Sequence, residues 1–401
     1  MKLSIIKLYT LLGTVFLFAC QSASDKTAHA KLPRMDNEFS KVNLDFSDTT
    51  TLEAQKIIHS LDSFYAIQTR LGFNGSVLVG YEGKVLYKRH LGYANKSKNI
   101  LLSPQSSSQL ASTSKPFTAT AILWLHQNKY LDINKPVKEY LPTFPYETIT
   151  VKMLLNHRSG LPDYLKFAGK YWGHSTPRTN DDLLDLFARV KPALNSRVDA
   201  RFEYCNSNYA ILASILESVT KMPYPKFMKE FIFEPLGMKN TFVYDPNGYK
   251  PEKMAISYKA NWTPEPDMFA DGIYGDKNIY STVEDLYRWD QSFYHNTLLN
   301  NATQDLAYTG CSFEKPGVKN YGLGWRMMTY PDGYKMVFHN GWWHGNNTIF
   351  YRFIKDNFTI IVLGNRFNNR IYQQGKAIYA IVQSQSANKM QWEESGSPRM
   401  D

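Results

Sequence analysis

Ser112-Thr113-Ser114-Lys115-Pro116-Phe117-Thr118-Ala119-Thr120-Ala121-Ile122-Leu123-Trp124-Leu125-His126-Gln127 reads as a helix that opens on a serine and carries a lysine one turn in. Its Ala, Ile, Leu and Trp content favours a buried helix. Pro116 fits because the first-turn N–H groups have no intrahelical partner in any case. Residues i and i+3 share a helix face, so the Lys115 amine is expected within reach of the Ser112 hydroxyl. A serine hydroxyl is a weak nucleophile without a neighbouring base. A helix N-terminus adds positive potential that favours an oxyanion. The spacing alone is weak, since Ser4, Ser218, Ser312 and Ser386 also stand three residues before a lysine. Ser112 is set apart by the helix that follows it.

Outward from this stretch, an amphipathic helix is expected after Asp48-Thr49-Thr50, with Ile57, Ile58, Leu61, Phe64 and Tyr65 on one face. Ser76–Tyr81 and Lys84–His90 read as a hairpin bent at Glu82-Gly83. Leu183–Val190 and Tyr209–Val219 are the clearest helices of the middle region. Strands return at Lys335–Phe338, Thr348–Ile354 and Thr359–Leu363, and a last helix spans about Asn369–Gln383. The order predicts an α/β protein with two lobes. A sheet lobe is built from about 49–105 and 320–384, and a mostly helical lobe, about 106–319, is inserted between. The cleft between lobes is the expected site. Tyr204-Cys205-Asn206 precedes the helix at 209–219, and His339-Asn340-Gly341 ends the strand at 335–338.

The N-terminus carries a targeting pattern. A basic start with Lys2 leads to the apolar run Leu11–Phe18, too short to span a bilayer, so residues 1–19 read as a secretion signal. The run ends in Leu17-Phe18-Ala19-Cys20, which resembles a bacterial lipobox and implies lipid on Cys20. Gln21, in place of an aspartate, favours the outer membrane in that resemblance. Residues 20–48 then form a polar tether and 385–401 a polar tail, with one folded domain over 49–384. The formal net charge of +10 contains no dense Lys/Arg run, so it reads as a basic surface and nucleic acid is not an expected partner. Cys205 and Cys311 are expected to be unpaired thiols, and no Cys/His/carboxylate spacing suggests a metal.

Taken in chain order, Ser112/Lys115, Tyr204/Asn206 and His339/Gly341 resemble the three signatures Ser-x-x-Lys, Tyr-x-Asn and Lys/His-x-Gly. These mark the serine β-lactamase and penicillin-binding-protein family, in its class C β-lactamase and D-alanyl-D-alanine carboxypeptidase-like branch. Leu154–Pro162, Glu234–Met238, Tyr280–Leu286 and Tyr321–Trp325 also resemble family segments, and the likeness spans roughly 50–384. The resemblance implies a β-lactamase/transpeptidase-like fold, an antiparallel sheet flanked by helices. It implies that Ser112 forms an acyl-enzyme while Lys115 and Tyr204 share proton transfer. Asn206 would position substrate and Lys115, and the N–H groups of Ser112 and Trp342 would form the oxyanion hole. No cofactor is implied. The substrate is expected to be a small molecule or peptide, namely a peptidoglycan-like peptide, an ester or a β-lactam.

Two departures shape the expected activity. His339 stands where class C β-lactamases have lysine, and Asn340 where a threonine or serine is usual. Neutral histidine supplies less fixed charge for a substrate carboxylate. Both changes point to a peptidase- or esterase-like hydrolase in the cell envelope. A true β-lactamase and a non-catalytic peptidoglycan- or β-lactam-sensing module, its cleft blocked by Trp342 or Trp343, are the alternatives. Trp342 and Trp343 are otherwise sheet packing or an acyl pocket, Lys166–Trp172 a surface or substrate loop, and His157 a structural residue.

Overall fold

The computed structural model describes residues 32–33, 37–44, 50–248 and 250–385. The expected signal peptide, Cys20 and the tail beyond 385 lie outside the described residues. From residue 37 onward the described residues belong to one unit.

Helix α1 (Leu52–Arg70) starts at Thr51, whose side chain accepts from the Ala54 N–H. It buries Ala54, Ile57, Leu61 and Tyr65, the face expected from periodicity. Strands β1 (Gly75–Tyr81) and β2 (Lys84–Leu91) form the expected hairpin. The late strands are β3 (Lys319–Tyr321), β4 (Arg326–Thr329), β5 (Lys335–Trp343), β6 (Asn346–Phe353) and β7 (Phe358–Gly364). Together they make one antiparallel seven-stranded sheet in the order β2-β1-β7-β6-β5-β4-β3. The early hairpin joins the late strands through β1 and β7, in the register Val77↔Val362. The antiparallel sheet and its flanking helices are the β-lactamase/transpeptidase-like arrangement expected.

Strand alternation sends side chains to two cores. Val77, Val79, Ile349, Tyr351, Ile360 and Val362 meet α1 and the C-terminal helix α6 (Ile371–Gln385). The opposite face carries Gly80, Phe350, Arg352 and Thr359, which meet helix α5 (Val283–Tyr294). Gly80 is required there, because a Cβ would lie 2.2 Å from the Tyr287 ring. Helix α5 falls within the stretch read as the helical lobe but packs on the sheet. Its Trp289 stacks at 3.7 Å on Phe117 of α2 (Lys115–Gln127), tying the sheet to the inserted region. That region holds α3 (Asn180–Val190) and α4 (Asn206–Thr220).

Three local readings need correction. Ser112 lies in a 3-10 turn, Ala111–Ser114, that runs into α2, rather than in α2 itself. His339-Asn340-Gly341 does not end a strand but sits inside β5, which stays paired to β6 as far as Trp343↔Asn346. The apolar run stops at Phe338, where His339, Asn340 and Gly341 follow while the backbone pairing continues. Residues 37–44 are not a free tether: Phe39 is buried and packs edge-on to His295 at 5.4 Å, and Arg288 donates to the Val42 carbonyl.

Beneath α5, Arg352 and Asp290 form a fully buried ion pair. Arg352 also donates to Tyr308 Oη at 2.7 Å, and Asp290 accepts from Thr359 Oγ1 at 2.8 Å. Removing one partner leaves an uncompensated buried charge. Arg352→Met is expected to lower unfolding stability by about 3–5 kcal/mol in urea titrations, and Arg352→Met/Asp290→Leu to recover much of that loss.

Candidate active site

The 3-10 turn holding Ser112 is pinned from several sides. Leu110 donates its N–H to the Ile279 carbonyl, and the Ser114 hydroxyl accepts from the Ile279 N–H. Thr348 of β6 donates to the Leu110 carbonyl at 3.0 Å and meets the Thr113 hydroxyl at 2.9 Å. Ala111 holds a left-handed φ of 51°, a conformation disfavoured for a residue with a Cβ. A 3-10 turn eclipses residues i and i+3. Ser112 and Lys115 are thereby stacked, with Lys115 Nζ 3.0 Å from Ser112 Oγ.

Lys115 is completely buried and has two further acceptors. Its Nζ lies 2.7 Å from Asn206 Oδ1 and 2.9 Å from the Asp276 carbonyl. Asn206 is the first residue of α4 and Cys205 its N-cap. The Tyr204 ring stands 4.9 Å from Lys115 Nζ and 5.1 Å from the Arg326 guanidinium carbon. Tyr204, Asn206, Asn340 and Trp342 line a cleft of about 670 Å³ with Ser112. His339 lies behind it, its ring 6.2 Å from that of Tyr204. Gly341 is placed by close approach, since a Cβ would lie 2.2 Å from the Leu110 carbonyl oxygen and 2.3 Å from Thr348 Oγ1. Only a bare backbone lets β5 lie against the Ser112 turn.

His339 and His157 are both held neutral. His339 is pushed well below the ordinary histidine value by burial, then by the nearby Arg326 and Lys115. His157 is pushed down by burial and by Lys115. Its Nδ1 accepts from the Cys205 N–H and the Asn208 amide, so it props the Tyr204 segment, in keeping with a structural part. Burial pushes the Cys205 thiol up to about 12, and Cys205 and Cys311 are both free. Among the described residues no cluster of His, Cys and carboxylates could hold a metal.

Several cleft residues were not singled out from the sequence. Arg326 follows directly on Tyr321–Trp325, so one more residue of that segment would have found it. Among the described residues no carboxylate pairs with it. Asp163 follows Pro162 in the same way. Lys277 pairs with Asp276 at 3.1 Å and lies 4.8 Å from the Trp343 ring. Asp271 accepts from Trp343 Nε1 at 2.7 Å and His344 Nε2 at 3.0 Å. Burial opposes ionisation of Asp271, but these donors hold its carboxyl below the ordinary value. Both tryptophans border the cleft, as do Leu165 and, from the expected loop, Lys166. Trp342 is 55% exposed, so the cleft is lined rather than filled.

The Beta-lactamase family model matches residues 66–383. The chain belongs to the β-lactamase family. This is a family of serine hydrolases. A penicillin-binding protein of Bacillus subtilis (strain 168) is 32% identical over 344 residues, 80% of this chain and 75% of that relative. A putative penicillin-binding protein of the same strain is 30% identical over 343 residues, 81% of each chain. A penicillin-binding protein from Bacillus halodurans superposes with a TM-score of 0.71 at 24% identity, over 79% of this chain and 98% of that one. A class C β-lactamase gives 0.71 at 20% identity, over 85% and 99%. At those identities the two structures speak for the fold.

Gly341→Ala is expected to push β5 off the Ser112 turn. Acylation of Ser112 by an activated ester should fall roughly 10²-fold or more, with the far-ultraviolet circular dichroism unchanged.

Proposed function

We propose that this chain is an envelope lipoprotein that cleaves amide or ester bonds through an acyl-enzyme on Ser112. The observation that carries the reading is the three-way placement of Lys115 Nζ between Ser112 Oγ, Asn206 Oδ1 and the Asp276 carbonyl. To act as a base, Lys115 donates to the two carbonyl oxygens and turns its lone pair to Ser112. It takes the Ser112 proton as Oγ bonds to the substrate carbonyl carbon. The N–H groups of Ser112 and Trp342 receive the oxyanion. Tyr204, between Lys115 and the cleft, passes the proton to the leaving nitrogen or oxygen as its bond to carbon breaks. Water then attacks the ester on Ser112, and the same groups return the proton to Oγ.

Arg326 refines the substrate class. The neutral His339 offers no charge, but the Arg326 guanidinium and the Asn340 amide border the same cleft. A planar guanidinium suits a carboxylate. We therefore favour a peptide carrying a carboxylate near its scissile bond over a neutral ester. The open cleft speaks against a blocked sensing module. Lipid on Cys20, and with it the outer membrane, remains part of the proposal. Cys20→Ser should move the protein from the membrane to the soluble fraction.

Labelled penicillin followed by intact mass tests the nucleophile. A long-lived adduct absent in Ser112→Ala supports the reading. No adduct, together with no turnover of an activated ester, rejects it. Arg326→Gln should raise KM roughly 10- to 100-fold for carboxylate-bearing peptides, the worth of a lost charged hydrogen bond. Its kcat on a neutral ester should change less than about twofold. Equal losses on both substrates would remove carboxylate recognition from the proposal.

A further inference from the structure

We infer that Asp163 is a positioning residue that fixes which end of the Asn206 amide faces Lys115. The inference rests on the acyl-transfer reading above and deepens it. Asp163 Oδ2 accepts from Asn206 Nδ2 at 2.8 Å and from the Asn206 N–H at 3.3 Å. Its other oxygen accepts from the Leu165 N–H at 3.1 Å. An ionised carboxylate offers acceptors only. Asn206 must then turn Nδ2 to Asp163, which leaves Oδ1 for Lys115 Nζ at 2.7 Å. The flipped amide would set oxygen against oxygen at Asp163 and present N–H groups to the Lys115 amine.

The Lys115 lone pair is aimed at Ser112 only while the amine donates to Asn206 and Asp276. Asp163 thus acts on the nucleophile through two hydrogen bonds in series. Asparagine at 163 cannot replace it, although it has the same shape. Its single oxygen serves either Leu165 or Asn206, and its NH₂ then confronts a donor at the other. Relief comes from flipping Asn206, which disorients Lys115.

Burial holds the Asp163 carboxyl above the ordinary carboxylate value, and the nearby Asp276 adds to this. The charged and titratable groups around it are Asp276 and Lys277 behind Tyr164, Lys166 and Tyr164 on its own short helix, Cys205, and Lys115 beyond Asn206. As pH falls through the raised value, Asp163 gains a hydroxyl donor and the lock on Asn206 is lost. Activity should fall with it.

The test is a double-mutant cycle on the full chain, reading the rate of Ser112 acylation by labelled penicillin or an activated ester. Asp163→Ala and Asn206→Ala should each lower that rate, the first roughly 10²-fold. The double variant should be no slower than Asn206→Ala alone, because Asp163 acts through Asn206. Losses that multiply would overturn the inference. Asp163→Asn should lower the rate similarly without lowering the melting temperature by more than a few degrees, and it stands in if Asp163→Ala does not fold. The step that Asp163 contributes to the acid limb should disappear; an unchanged limb counts against Asp163. An activity-free readout is the side-chain amide signal of Asn206 in [¹⁵N]asparagine-labelled protein, identified by its loss in Asn206→Ala. It should shift with pH in the wild type and not in Asp163→Asn. If wild type is acylated by neither reagent, the acyl-transfer reading fails, and the amide titration alone decides whether Asp163 holds Asn206.

Discussion

A fully buried amine is the constraint around which this molecule is arranged. Lys115 Nζ has no contact with solvent, so it needs polar partners inside the protein. Those partners come from residues 112, 206 and 276, three segments far apart in the chain. None of the three places the amine alone. The 3-10 turn, the start of α4 and the loop before Asn278 must converge on one point. Burying an amine costs several kcal/mol unless its partners are already in place. The convergence must therefore be held by something stiffer than the polar groups themselves.

The sheet supplies that stiffness. Pairing β1 with β7 closes the early hairpin onto the late strands, and apolar layers cover both faces. The layers meet the site at two bare positions. Gly80 lets α5 sit close to β1, and α5 carries Trp289, on which Phe117 of α2 stacks. Gly341 lets β5 lie against Leu110 and Ala111. Ala111 accepts an unfavourable φ in that narrow space. Strain of about 1–3 kcal/mol at a residue persists only where its surroundings over-determine the backbone. Around Ala111, Thr348, Ile279 and Gly341 do so.

What was legible in the sequence follows from this division. Elements with a strong period were readable: the α1 face, the hairpin at 76–90 and the strands beyond 348 obey simple spacing. Short motifs were readable too, and Ser112, Lys115, Tyr204, Asn206 and Trp342 do meet in one place. The end of β5 was not readable, because His339 and Asn340 interrupt the apolar alternation while backbone pairing continues regardless. The 3-10 turn was hidden because Ser-x-x-Lys spacing suits a 3-10 and an α turn alike. Arg326 and Asp163 each stand one residue beyond a segment that was read, Tyr321–Trp325 and Leu154–Pro162. Lys277 meets Trp343 from a position remote in sequence, and no local pattern encodes that contact.

Four of the missed residues share a physical character. Asp163, Asp276, Lys277 and Asp271 are all buried and charged, and all sit around the cleft. Buried ion pairs such as Lys277–Asp276 are poor sources of stability, since apolar residues of like volume often do as well or better. Arg352–Asp290 bears the same cost far from Ser112, but it serves to seat α5 under the sheet. Around the cleft the return is different. A carboxylate with fixed donors orients its neighbours without reorganising when charge moves. Trp343 is held by Asp271, Lys277 by Asp276, and the Asn206 amide by Asp163. In each case an acidic oxygen fixes a group that borders the cleft. The same low-dielectric setting that makes these carboxylates costly makes their orienting effect strong. The stability given up around the cleft and the order gained there are two consequences of the same burial.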